Sequence, residues 1–457
     1  MLMRKYFLMS ALAAVCFANT VQAQEDPDKN YIRNSVYVMK LDEVASNEEY
    51  AEAFKVMNAT FDTINFARNY ERYNDFSLSE RHIKFEELPT ATEEEIKQFG
   101  SQTVVEKAIA DAMVQQGLKN ANTLSEYEYA ARLSKWFEQN KFAQKLVAKW
   151  HNEPGSPEGS TQWDKDLKTI FELGLKGLSQ EAYDNAKATE NLNSMAYGAE
   201  NKLLSNTYVC VNRYGYASAQ EYAAVATAVA KIAISRLPGI AQLAASKGLD
   251  LIASKIKGYF VRANAYLFKL EWNEDLYNKF YSTYWDNPQG FMDDAAYKLT
   301  YVGKSSKYAP AAISLKASTS LEKLIARGTV RGTDAAFAAL QRDHEEFRPM
   351  SSLHVIDGKL AAYIGLKEGV KAGDDFDVFE AVRSKKDPNV TEWNKIGSIK
   401  VAKGGVWDNR AGAGEEIEGA SEDKSDKDAN DANNKGYTEF KGKPGKMGEG
   451  NMIRLSK

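Results

Sequence analysis

Four histidines, at positions 82, 151, 344 and 354, are all that the 457-residue chain offers for acid–base chemistry near neutral pH. His344-Glu345-Glu346-Phe347-Arg348 opens like a zinc-protease helix, where two histidines four residues apart grip the metal. Arg348 stands in the place of the second ligand. His344 also lies four residues after Leu340 and three before Phe347, on an apolar helical stripe, so a packed and hydrogen-bonded core histidine is expected. His354 and Asp357 are close enough in sequence to pair as acid and base. With His344 they are the residues a hydrolase would use, although no serine sits in a nucleophile-elbow setting.

Other motifs fail at one position each. Gly303-Lys304-Ser305 ends like a phosphate-binding loop, but Lys298 occupies the place of the first glycine. Asp426, Asp428 and Asn430 alternate as in a calcium loop, but Asp431 replaces the turn glycine and Tyr437 the bidentate glutamate. No metal and no cofactor is therefore expected. Trp407, Asp408 and Arg410 combine an aromatic anchor with two opposite charges, a set suited to a binding surface as well as to a strand end packed in a core.

These residues have to be positioned by a framework that changes along the chain. Asn34 to Leu41 alternates polar and apolar side chains, as a strand with one buried face does. Thr92 with Glu93, Glu94 and Glu95 starts a helical region, whose apolar stripe continues through Leu133, Trp136, Phe137, Leu146, Val147 and Trp150. Residues 151–161, rich in proline, glycine and serine, read as a loop or sub-boundary, and a helix is expected from near Ser179 towards Leu204. Asn206 to Asn212 and Phe260 to Leu270 read as strands around a helical insert, 221–257, with Pro238-Gly239 at its centre. Lysines and an arginine interrupt that insert, so it is a core hairpin or a membrane-surface one, not a span.

Asn273 caps a helix whose Tyr277, Phe280, Tyr281, Tyr284 and Trp285 crowd one face, a core stripe that could also stack sugars or bases. Gly328 reads as the stop of a short helix and Thr333 as the start of another. From Arg348 the pattern becomes β, with short alternating runs around 376–378, 399–401 and 453–455. The expected fold is α+β. A helix-rich region with a few strands, 24–347, precedes a small SH3-like β-barrel, 348–457, that carries an acidic loop at 411–436.

Residues 1–23 pair a basic start, Arg4 and Lys5, with an apolar run and Val21-Gln22-Ala23, the pattern of a cleaved export signal. Its removal takes the formal charge from −4 to −6, which offers nothing to nucleic acid. It also removes Cys16 and leaves Cys210 as a lone thiol in an apolar strand, where a buried structural role is expected.

Asn206 to Asn212, Tyr266 to Asn273, Ala362 to Val370 and Gly405 to Arg410 together resemble a family of uncharacterised exported proteins of Gram-negative gut bacteria. Ile364-Gly365, Glu368-Gly369-Val370 and Gly373 to Val378 look like the small barrel of flagellar assembly protein T, and the middle of the chain is loosely similar to curli-pore-type assembly proteins without their lipid-anchoring cysteine. The resemblance implies export to the periplasm or outer membrane. With no catalytic motif in view, the expected role is non-catalytic binding or assembly with an envelope protein partner. An envelope hydrolase or glycan-binding enzyme, and a membrane-surface protein using 221–257, are the alternatives.

Overall fold

A computed structural model describes residues 31–32, 34–43, 50–64, 78–103, 106–107, 124–167, 170, 203–218, 223, 227, 259–311, 320–383, 391–413 and 435–456. The signal segment, the helix expected from Ser179, most of the 221–257 insert and residues 414–434 of the acidic loop lie outside them. Among the described residues no helix is long and apolar enough to cross a membrane.

The elements run β1 (Tyr31–Ile32), β2 (Ser35–Asp42), α1 (Ala51–Thr63), β3 (His82–Lys84), α2 (Glu93–Phe99), α3 (Glu126–Gln139), α4 (Phe142–His151), β4 (Thr207–Ser218), β5 (Tyr259–Leu270), α5 (Glu274–Lys279), β6 (Leu299–Ala311) and α6 (Leu321–Asp343). Seven short strands follow: β7 (Met350–Ser352), β8 (His354–Ile356), β9 (Lys359–Ala362), β10 (Asp375–Arg383), β11 (Thr391–Val401), β12 (Thr438–Lys441) and β13 (Met452–Leu455). The fold is α+β, with a mixed sheet followed by an antiparallel, nearly closed barrel-like sheet.

The first sheet has the order β3-β2-β4-β5-β6. β2 is parallel to both β3 and β4, while β4, β5 and β6 are antiparallel. The chain leaves β2 for β3 on one side and returns to β4 on the other, so the order reverses at β2. Helices cover both faces. Tyr37, Met39, Val209, Val211 and Phe268 pack with α3 and α4, whereas Val36, Val38, Cys210 and Ala263 pack with α1 and α6. β2 is therefore buried on both faces rather than one, and even Lys40 is only 2% exposed.

The helical expectations hold in type and shift at their ends. Thr92 and Glu95 form a capping box that starts α2. One apolar stripe is two helices, broken where Lys141 takes a left-handed conformation, φ 53°. Trp150 and Trp163, on either side of the 151–161 loop, share one core. Gly328 does not stop a helix and Thr333 does not start one, because α6 is continuous. Gly328 and Gly332 lie inside it, pressed on the sheet, where an added Cβ would come within 3.2 Å of Val261 and of Ala263 respectively. Close packing keeps the glycines there, at a helical cost of roughly 1 kcal/mol each relative to alanine.

The second sheet runs β1-β7-β13-β10-β11-β12-β9-β8. β7 and β8 stand near its opposite ends yet are separated in the chain only by Leu353, which bends the sheet round on itself about the core of Leu353, Leu360, Val378, Val401 and Ile453. β1 pairs with β7, so two residues near the start of the chain belong to this sheet. Arg342 of α6 fastens the barrel through Asp374 at 2.7 and 3.1 Å and the Gly369 carbonyl at 3.0 Å.

Candidate functional site

Where strand order reverses in a sheet with parallel strands and helices on both faces, a crevice opens at the carboxyl ends of the two strands on either side. Here that place is the end of β2 beside β4. Lys40 is level with Asn212, so β2 finishes while β4 runs on to Ser218. Several charged groups gather there.

Strand alternation sends Asp42 and Glu43 to different faces. On one face Asp42 meets the Lys40 ammonium at 2.7 Å and His82 Nδ1 at 3.1 Å, and Asp62 of α1 lies 3.1 Å from His82 Nε2. The two aspartates occupy opposite ring nitrogens and so cannot converge with His82 on one metal. Among the described residues no group of three or more His, Cys, Asp or Glu can hold one.

On the other face Glu43 takes a hydrogen bond from the Tyr129 hydroxyl and pairs with Arg213 at 3.2 Å. Arg213, 4% exposed, reaches Glu126 at 2.7 Å with its other terminal nitrogen and lies 4.0 Å from the Tyr129 ring centre. Glu126 also accepts from the Tyr266 hydroxyl. It is the first residue of α3, whose Ser125 cap accepts from the Glu128 N–H at 3.1 Å, so the helix amino end faces the cluster. Burial alone would raise the Glu126 carboxyl, but Arg213, Arg262 and the Tyr266 hydroxyl hold it down at about 2. Burial pushes the Tyr129 and Tyr266 hydroxyls well above their usual range.

Register extends the cluster to β5. Arg213 is level with Asn264 and Gly215 with Arg262. The Arg262 side chain crosses β4 at Gly215, with Nε and Nη2 at 3.4 and 3.5 Å from where a Cβ would stand. Asn264 is 1% exposed, and among the described residues neither atom of its amide has a hydrogen-bond partner; Arg213 Nε also lacks one there. Burying such groups unpaired is costly, and most buried polar atoms in proteins are paired.

The residues singled out from sequence sit elsewhere. Trp407, Asp408 and Arg410 do lie together, as an internal clasp. The Trp407 N–H donates to Thr438 Oγ1 at 3.0 Å, its carbonyl accepts from Leu366 at 2.9 Å, and Asp408 takes Arg410 at 2.8 and 2.9 Å. Burial opposes ionisation of Asp408, but Arg410 beside it, helped by Arg331, keeps its carboxyl below the usual range. Arg331 of α6 donates to the Ala411 carbonyl at 2.7 Å, which ties this turn to the helix.

His344, His354 and Asp357 are not brought together. His344 caps the end of α6 and its ring covers Gly303 of β6, with burial lowering its pKa against the nearby Asp343 and with Arg348. His354 Nδ1 lies 2.9 Å from Glu449. Asp357, φ 50°, and Gly358, φ 73°, form the two-residue turn between β8 and β9, a backbone role that suits an Asp-Gly pair. Cys210 is fully buried, and His151 packs in an aromatic cage with Phe280 at 4.4 Å.

Sequence reading missed the crevice because its members come from six separated segments. One signal was present. Val209, Val211 and Arg213 share a face, as do Phe268, Tyr266, Asn264 and Arg262, so each buried stripe ends in a cation that demands acidic partners.

No protein-family model, curated protein or solved structure matches the chain.

Proposed function

We propose that the protein is an exported, non-catalytic binding or assembly protein of the cell envelope. Its ligand seat is the crevice at the ends of β2 and β4, and its barrel, of SH3-like type, is an interaction module. One observation carries the choice of binding over catalysis. Arg213 is paired with both Glu43 and Glu126, whose other partners are the Tyr129 and Tyr266 hydroxyls, so these groups are engaged with one another, while the Asn264 amide beside them is unpartnered among the described residues. Fixed charges and an open amide are what recognition of a polar group uses. The export pattern of residues 1–23 and the resemblance to exported proteins support the compartment.

The test is photo-crosslinking in the native envelope with the full chain. One probe replaces Ser306, exposed beside the crevice, another replaces exposed Val355 on the barrel, and a third replaces exposed Glu153 as a control. Specific adducts at the first two sites and not at the third support binding. Adducts at none of them remove this reading.

A second reading, an envelope hydrolase, is favoured by His82 and not by the histidines chosen from sequence. His82 is solvent-exposed, Asp42 holds its Nδ1 in the way a catalytic histidine is oriented, and a substrate would have to displace Asp62 from its Nε2. A hydrolytic activity found in an esterase, amidase and glycosidase screen, and lost in His82→Gln without loss of folding, would establish it.

A further inference from the structure

Resting on the binding reading above, we propose that Arg262, Asn264 and Arg213 Nε form a seat for the oxyanion group of a small ligand, a carboxylate or a phosphate. The three lie on one sheet face in adjacent register, Arg213 opposite Asn264 and Arg262 opposite Gly215. Both terminal nitrogens of Arg213 are held by Glu43 and Glu126, which fixes the guanidinium and leaves Nε as its unpartnered donor. Glu43 and Glu126 are thereby engaged, and among the described residues Arg262 has no carboxylate within ion-pair distance. Its hydrogen-bonding neighbour is Tyr308, and Glu126 acts on it only from farther away.

Arg262 is thus a half-buried cation beside the Asn264 amide, which is 1% exposed and unpartnered on both atoms. A guanidinium fork, an amide N–H and a guanidinium Nε–H are three donors on one side of a sheet, the set that oxyanions accept from. Two further features favour a ligand there. The crevice lies at the reversal of strand order, and the amino end of the fourteen-residue α3 faces it. Ser306, the neighbour of Asn264 on β6, is exposed, so the sheet edge beside the buried amide faces solvent. Gly215 leaves the floor under Arg262 without a side chain.

The experiment is isothermal titration of the full-length protein with inorganic phosphate and, separately, with acetate and succinate, at constant ionic strength set by chloride. Arg262→Gln, Asn264→Leu and, as a distant control, Lys359→Gln are titrated alongside, and circular dichroism checks that each is folded. We expect one site per chain for phosphate or for a carboxylate, weakened at least tenfold by each crevice variant and unchanged in the control. Phosphate binding alone points to a phosphorylated ligand and carboxylate binding alone to an organic acid. No saturable binding of any anion, or Asn264→Leu binding as tightly as the unaltered chain, overturns the proposal. Failure here together with crosslinked adducts at Ser306 leaves the crevice a binding site for another chemistry. Failure of both removes the binding reading too.

Discussion

Asp42 and Glu43 are consecutive residues whose carboxylates anchor two charged groups on opposite faces of one sheet, Asp42 with Lys40 and His82, Glu43 with Arg213 and Tyr129. A strand places neighbours on opposite sides, so two acids at the end of β2 flank the crevice.

Removing Arg213 should do more than remove an attraction. Arg213→Met leaves Glu43 and Glu126 with their main cation gone in a buried setting, and a loss of about 3–5 kcal/mol is expected in urea unfolding. The double variant Arg213→Met with Glu126→Leu should lose less than the sum of the two single changes. Additive losses would show that the pair is not coupled.

Glu126 should make stability depend on acid. Its carboxyl is held at about 2 in the fold against an ordinary 4.5, so its contribution is fully present above the unfolded value and disappears as pH falls from about 4.5 through about 2. The contribution is on the order of 3 kcal/mol. Glu126→Gln should flatten the acid limb of stability across that window, measured by urea midpoints at successive pH values.

At the far edge of the sheet, Gly303→Ala should destabilise. The added Cβ would stand 2.2 Å from Nε2 of His344, so the ring must move, at a cost of about 1–3 kcal/mol. His344→Ala should relieve most of that in the double variant. An unaltered melting temperature in Gly303→Ala would mean the ring does not cover the glycine.

Gly332→Leu tests why glycine sits inside α6. Propensity alone favours the change by nearly 1 kcal/mol. Contact with Ala263 at 3.2 Å and Ala309 at 3.7 Å leaves no space for the new side chain, and net destabilisation is expected in thermal unfolding.

Much of the framework was legible because it is local. Alternation in Asn34–Leu41, the cap at Thr92 and the change to β at Arg348 each follow from neighbouring residues, and β2, α2 and β7 form there. What failed was tertiary. Gly328 has the chemistry of a helix stop, but contact with Val261 keeps it within the helix. For Trp407, Asp408 and Arg410 the sequence leaves a binding surface and a packed strand end both open, because the contacts of that turn with Thr438 and Arg331 are long-range. The crevice was least visible of all. Arg213, Glu126 and Arg262 meet only when β4 and β5 are in register and the start of α3 packs against them, and each alone reads as an ordinary polar residue.

Tyr31 and Ile32 pair with Ser351 and Met350. As the chain is made from its first residue onward, β1 emerges long before its partner strand exists. It can pair only after β7 has appeared, and the other edge of β7 stays open until β13 follows. The mixed sheet can assemble earlier, but the second sheet is not whole until β13 has emerged. A chain halted short of Met452 would therefore hold β1 with an unfinished sheet to join.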